Sequence, residues 1–440
     1  MAAAPSLATR KRTIHRSLTL SIAEGLLHAV MLGAAESYFG ALAVELGHRD
    51  VSLSVLATVP LFAGALSQLL APRLVRALGT ERRAVVLGVA VQALSHAAFV
   101  ALSLTGSRSL TLLLLAKVAY WVSGMMIAPA WSAWMTRLVP THGRARFFAR
   151  RFWLYHVVLV IAFLGSGQLL ADFDARGSVL VGFAVLQAVA LAARLLGSTL
   201  IAQKGDVDPP LLRPRVALSD VVRKGRWRIA AFGAILLFGA QIAVPFFTPY
   251  MLEDLGMSLR EFAWLTSLSI VAKGLAFGPW RRIAPRIGHR RALGLAGLMV
   301  ASVPVFWFAS RETWMLAIAQ VIGGVAWAGY ELISLELLMA DAPEDSRVEF
   351  YALASTLSGG LQVAGAVIGG LLLRTGAIDY ATVFLISAGG RGLALIALLW
   401  VPVSVRAILV HSRVISVRPS AGAIRAPEVV DRRLGSTRTP

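Results

Sequence analysis

The sequence predicts an all-α integral membrane protein with twelve transmembrane helices in two pseudo-symmetric six-helix bundles, on three observations. First, 57% of the 440 residues are apolar and only 15% are charged, with a mean hydropathy of +0.71. Soluble globular chains lie far from this composition. Second, apolar runs of roughly 20 residues recur along the chain, the length a helix needs to cross about 30 Å of hydrocarbon. Only helices and closed barrels satisfy the backbone there, and runs this long and apolar are helical. Third, a basic turn occurs twice. It reads A-P-R-L-V-R-A-L-G-T-E-R-R-A from Ala71 to Ala84 and W-R-R-I-A-P-R-I-G-H-R-R-A from Trp280 to Ala292, and its hinge glycines, Gly79 and Gly288, stand 209 residues apart.

The repeat extends in both directions. Glu45 to Gly47 (E-L-G) matches Asp254 to Gly256 (D-L-G) at the same offset. Ser107-Arg108 matches Ser310-Arg311, and Arg144, Phe147, Phe148 and Ala149 match Arg347, Phe350, Tyr351 and Ala352, both at an offset of 203. A constant offset broken by one small deletion is what duplication of a structural unit produces. Weak internal symmetry of this kind is common in transporters.

Taken in order, residues 1–16 form a cytoplasmic arm with Arg10, Lys11, Arg12 and Arg16. The apolar run that follows, 18–44, is too long for the core of a cleaved signal peptide and long enough to span. The first bundle occupies 17–202, its later spans lying near 51–70, 84–105, 109–136, 152–171 and 178–201. Residues 203–228 are a cytoplasmic linker with Pro209, Pro210, Pro214 and seven basic residues. The second bundle occupies 229–405, with spans near 229–252, 259–279, 292–309, 313–339, 351–373 and 380–404; a basic cytoplasmic tail, 406–440, follows. Twelve spans put both termini on one side. That side receives 33 of the 43 Lys and Arg residues, as the positive-inside rule demands of the cytoplasmic face of an inner membrane.

The net charge of +20 is therefore mainly an orientation signal with some attraction for anionic lipid, and nucleic acid is not an expected partner. The chain has no cysteine, so disulfides, thiolate metal sites and thiol catalysis are excluded. No Walker-type phosphate loop, paired-acid or H-x-x-x-H metal spacing, or Ser-His-Asp set is legible, so neither cofactor nor metal is expected and the protein is not read as an enzyme.

The basic turns carry a resemblance. Leu74, Gly79, Arg82 and Arg83 in the first copy, and Ile283, Arg286, Gly288, Arg290 and Arg291 in the second, resemble the signature loop of the major facilitator superfamily. The family's acidic position is taken by Arg76 and Pro285 here, and its leading glycine by Pro72 and Arg281, which removes a gate latch built on that acid. Pro129 to Pro140 (P-A-W-S-A-W-M-T-R-L-V-P), followed by Arg144 to Arg151, resembles a recurring bacterial permease branch of the superfamily. The resemblance covers about 17–405. It implies two six-helix bundles around a central cavity, alternating access by rocking, a first helix that lines the cavity, and fourth and tenth helices that face each other across it.

Ionisable residues inside the spans are the functional candidates, because each costs at least ~2.5–3.5 kcal/mol near the bilayer centre. The first span holds Glu24, His28 and Glu36. Glu24 and His28 share a helix face about 6 Å apart along the axis. Glu36 falls about 18 Å beyond Glu24 and about 120° round an unbroken helix. Either acid is a candidate proton carrier or cation contact, the other reading being an interhelical structural pair. Lys117 lies in the fourth span with Trp121 on its face and Gln320 as its repeat partner; it suits an anionic substrate group or a glutamate of the first span. Glu331 and Lys273 fall at similar depths and are candidates to pair, while Glu336 is expected to meet Arg282 or Arg286 as a gate contact. Trp327 and Tyr330 are candidate stacking surfaces. Gln241, with Pro245 and Pro249, marks a bent seventh span. Arg73, Arg76, Gly79, Arg82, Arg83, Arg144, Arg282, Arg286, Gly288 and Arg290 are gating-loop candidates.

The expected function is secondary active transport of a small organic solute across the inner membrane by alternating access, with protons as coupling ion through Glu24 or Glu36. Export is slightly favoured, since acids in the first helix suit cationic amphiphiles. No oligomer is required. The alternative is a permease-fold sensor or assembly scaffold acting through the basic linker and tail.

Overall fold

The computed structural model describes residues 7–48, 50–205, 218–224, 227–257, 259–374 and 378–399. The start of the arm, most of the linker and the basic tail lie outside the described residues. The first half runs α1 (Leu7–Ala34), α2 (Phe39–Glu45), α3 (Asp50–Ser67), α4 (Ala71–Leu78), α5 (Glu81–Thr105), α6 (Leu110–Met126), α7 (Ala128–Leu138), α8 (Arg144–Asp174) and α9 (Val179–Ala202). After α10 (Leu218–Lys224), the second runs α11 (Arg228–Gln241), α12 (Phe247–Pro249), α13 (Leu259–Ile287), α14 (His289–Ala309), α15 (Thr313–Asp341), α16 (Arg347–Arg374) and α17 (Tyr380–Leu399).

Several expected spans are broken. The first tightens into a 3₁₀ turn at Glu36–Tyr38 between α1 and α2. The fourth resets after Met126, with Pro129 in the first turn of α7, where a missing N–H costs nothing. The seventh ends α11 at Gln241, passes through a 3₁₀ turn at Val244–Phe246 and α12, and finishes in a π turn at Tyr250–Asp254. Pro245 and Pro249 explain this, since each removes a backbone donor inside the span.

Eleven helical segments among the described residues are long and apolar enough to cross a membrane. The long helix missing from that set, against the twelve expected, is α13, 29 residues that include Glu261, Lys273, Arg281, Arg282 and Arg286. Its length fits a span; its composition does not by itself signal one.

Duplication is visible in both backbone and packing. Gly47 and Gly256, and Gly79 and Gly288, all adopt positive φ, at 87°, 63°, 79° and 88°. These turns tolerate little but glycine. In the first half α1 packs on α8 and α9, α5 on α6 and α9, and α3 on α6; in the second α11 packs on α16 and α17, α14 on α15 and α17, and α13 on α15. Position for position these are the same neighbours.

Close approach makes much of this packing, and Gly239 is the sharpest case. A β-carbon there would overlap the Gly390 carbonyl carbon and the Arg391 nitrogen, so α11 and α17 meet backbone to backbone. Gly239→Ala is expected to cost about 1–3 kcal/mol through overpacking. Gly278→Ala, where a β-carbon meets nothing within 4 Å, should melt like the parent.

The two halves meet unevenly. One apolar core joins Ala133, Leu138 and Phe148 of the first half to Phe277, Trp280, Leu337 and Phe350 of the second, towards the end that carries the basic turns. Towards the opposite end the cores are separate, one around Phe39, Phe99 and Tyr120 and the other around Tyr250, Trp307 and Phe384. Across the halves α16 packs on α3, α4 and α7, and α13 on α8.

Candidate functional site

A cavity of about 470 Å³ opens inside the first half. Glu24, His28 and Glu36 reach it from the first span and Trp121 from α6. Glu36 does so although an unbroken helix would turn it about 120° away from Glu24, because the break after Ala34 resets the phase. Its carboxylate accepts a hydrogen bond from the Tyr120 hydroxyl. The His28 ring packs edge-on to Tyr155 at 5.8 Å. Tyr120, Trp131, Leu32, Val85 and Val89 supply apolar and aromatic wall, and Gln92 supplies a polar group.

Glu24 is not a free carboxylate. Its oxygens lie 3.6 Å from Arg151, 3.8 Å from Arg194 and 3.6 Å from the Lys204 ammonium, and all four side chains are buried. Arg194 also donates to Gln92 Oε1 at 2.5 Å, and Arg151 Nε donates to the Ser21 carbonyl at 3.2 Å. The Arg151 guanidinium sits 5.0 Å from the Trp131 ring, and Lys204 5.4 Å from that of Trp134.

Sequence reasoning counted Arg151 and Lys204 as loop charge. For Arg151 a signal was present: Arg144, Phe148 and Arg151 follow helical spacing, all three are buried, and neighbouring Arg150 is exposed. Lys204 had none, because it turns inward just beyond the end of α9 while its carbonyl accepts from Arg82 at 2.9 Å.

Lys117 does not line the cavity. It is buried on α6, 5.7 Å from the Phe39 ring, and the hydroxyl of Tyr120, one turn on, is what meets Glu36. Gln241, Gln320, Trp327, Tyr330 and Glu331, all in the second half, are not among its lining residues either. There Lys273 and Glu331 pair at 2.7 Å, the Gln241 amide donates to Gln362 at 3.4 Å, Trp327 packs on Tyr330 at 5.6 Å, and Gln320 is half-buried. Arg391 is buried in α17 and donates to Ser387 Oγ at 3.1 Å and to the Val300 carbonyl at 2.9 Å.

At the basic-turn end, Arg76 reaches across the halves to Glu349 at 3.2 Å, and Thr136 Oγ1 shares a hydrogen bond with the Tyr351 hydroxyl at 2.8 Å. The charge reversal at Arg76 is thus answered by an acid on α16. Glu336 meets His289 at 3.3 Å rather than Arg282 or Arg286, a correction to the expected gate contact. The turn at Gly288 folds His289 in against α15, whereas Arg282 and Arg286 stand exposed on the outer face of α13. Arg73 is also exposed; Arg83 donates to the Leu78 carbonyl at 3.3 Å, Arg144 to that of Thr136 at 3.0 Å and Arg290 to that of Leu398 at 3.0 Å. Glu81, not singled out in the sequence, holds Arg137 through two bonds of 2.6 and 2.8 Å.

Known proteins give the same picture. The chain is 26% identical over 169 residues to the tetracenomycin C resistance and export protein of Streptomyces glaucescens, a match spanning 38% of this chain and only 31% of that relative. Its fold is similar to a proton:xylose symporter bound to 6-bromo-6-deoxy-D-glucose, with 11% identity, coverage of 89% and 97% and a TM-score of 0.71. It is also similar to a bacterial homologue of the iron transporter ferroportin in an outward-facing state, with 16% identity, coverage of 87% and 98% and a TM-score of 0.68. Residues 229–427 match the Major Facilitator Superfamily itself. Its second half thus matches that family in sequence, and its helices share the fold of solved transporters of the same superfamily.

Proposed function

We propose that the chain is a secondary active transporter of the inner membrane that moves a small organic solute by alternating access. Residues 17–202 and 229–405 are the two bodies that rock. What carries this reading is the cavity itself: about 470 Å³ with aromatic walls and a few convergent polar groups, the make-up of a small-molecule site. The positive-inside rule assigns the basic-turn end, where the two cores fuse, to the cytoplasm, so this conformation faces outward. Export is the proposed direction, in line with the partial relative that is an export protein.

Protons are the proposed coupling ion, and Glu36 the proposed carrier. It lines the cavity, and its only described partner is the neutral Tyr120 hydroxyl, whereas Glu24 is committed to three cations. The direct test is proton flux across proteoliposomes on addition of a transported solute. Movement of solute that ignores an imposed pH gradient would overturn the coupling.

Arg76 and Glu349 are the proposed latch of the outward-facing state. Their side chains are 33% and 20% exposed, so the pair contributes at most about 1 kcal/mol, which is about fivefold in a two-state population. The chain has no cysteine, so Ser132→Cys in the cavity wall is a clean reporter. Labelling from the cytoplasmic side is expected to rise up to about fivefold when Glu349→Gln is added.

A further inference from the structure

The charges around the cavity do not balance. Arg151, Arg194 and Lys204 are buried in the first half, and the acid within 4 Å of them is Glu24. Glu24 alone is shared by three cations, none closer than 3.6 Å. The Arg194 Nε, the Lys204 ammonium and one Glu24 oxygen are buried with no hydrogen-bond partner. An unneutralised cation in such surroundings is expensive, and the cost is ordinarily met by an anion or by charge-assisted hydrogen bonds. Arg151 and Arg194 both line the cavity, so a ligand entering it meets two guanidinium groups. Around them stand Trp121, Trp131 and Tyr120.

We infer that the cavity binds an amphiphilic organic anion, whose carboxylate or equivalent acidic group sits between Arg151 and Arg194 while its rings lie against Trp121 and Trp131. This rests on the cavity being the solute site. It replaces the cationic amphiphile expected from acids in the first helix: the acid that suggested a cation is already over-compensated. Glu36 lines the same cavity, with the Tyr120 hydroxyl as its hydrogen-bond partner.

The test uses one aromatic skeleton with three head groups. Full-length protein, purified in detergent free of anionic lipid, is melted with 2-naphthoate, 2-naphthylmethylammonium or neutral 2-naphthylmethanol. The carboxylate should raise the melting temperature in a saturable way and the ammonium should not. Arg151→Gln and Arg194→Gln should each weaken the carboxylate roughly tenfold to a hundredfold, the effect of one lost charge-assisted bond. Arg194→Lys should retain most of the shift, and Lys273→Gln in the other half all of it. Should Arg151→Gln fail to fold, Lys204→Gln, behind the cavity wall, tests the same surplus and should also weaken the carboxylate. Absence of a carboxylate shift, a larger shift with the ammonium, or a shift indifferent to both arginines overturns the anion site. Transport of cations only, in proteoliposomes, would keep the transporter and discard the anion; saturable carboxylate binding without any transport would do the reverse.

Discussion

Glu24→Gln is expected to lower the stability of the protein by about 3–5 kcal/mol, the usual cost of removing one member of a buried charge cluster. The carboxylate is within 4 Å of three cations, and all three are buried. An amide has nearly the same shape and no charge, so it leaves Arg151, Arg194 and Lys204 to repel one another. Adding Lys204→Met should recover part of the loss, because it removes the cation with no hydrogen-bond partner for its ammonium. The contrast is Glu331→Gln. Its pair with Lys273 has side chains 39% and 28% exposed, and about 0–1 kcal/mol is expected there. Thermal unfolding followed by tryptophan fluorescence reads all three. A Glu24→Gln protein that melts with the parent would show that the cluster does not hold the first half together.

Glu36→Gln is expected to leave the fold intact and abolish gradient-driven transport. The Tyr120 hydroxyl can donate to an amide oxygen as well as to a carboxylate, so the local bond survives. What is lost is, among the described lining residues, the one acid not already paired with cations. A one-proton exchanger working against a gradient of one pH unit sustains a solute ratio of about tenfold, since a pH unit is worth about 1.4 kcal/mol. In the variant that ratio should fall to about one, while exchange of labelled for unlabelled solute continues. Glu36→Asp should retain partial coupling. A tenfold gradient maintained by Glu36→Gln would move the proton site elsewhere.

The architecture was legible because lipid imposes it. With no water to satisfy the backbone, apolar runs must be helices, and the repeated glycines at 47, 79, 256 and 288 mark turns that an L side chain resists. The pairing of Lys273 with Glu331 was readable from depth alone, because two opposite charges at one level within the spans have few other partners.

What the sequence determined by itself, then, was the helical membrane class, the duplicated plan, the bend at Pro245 and Pro249, and the first-span residues that face a cavity. The tertiary structure decided which charges meet. It turned Arg151 and Lys204 inward onto Glu24, took Lys117 out of the cavity wall, gave Glu336 to His289, and set Glu349 against Arg76 from 273 residues away. The physical reason is that helical periodicity fixes a residue's height and phase only as far as the next break or helix end. Beyond it, the packing of neighbouring helices sets rotation, and an ion pair needs its partners' positions to within an ångström or so.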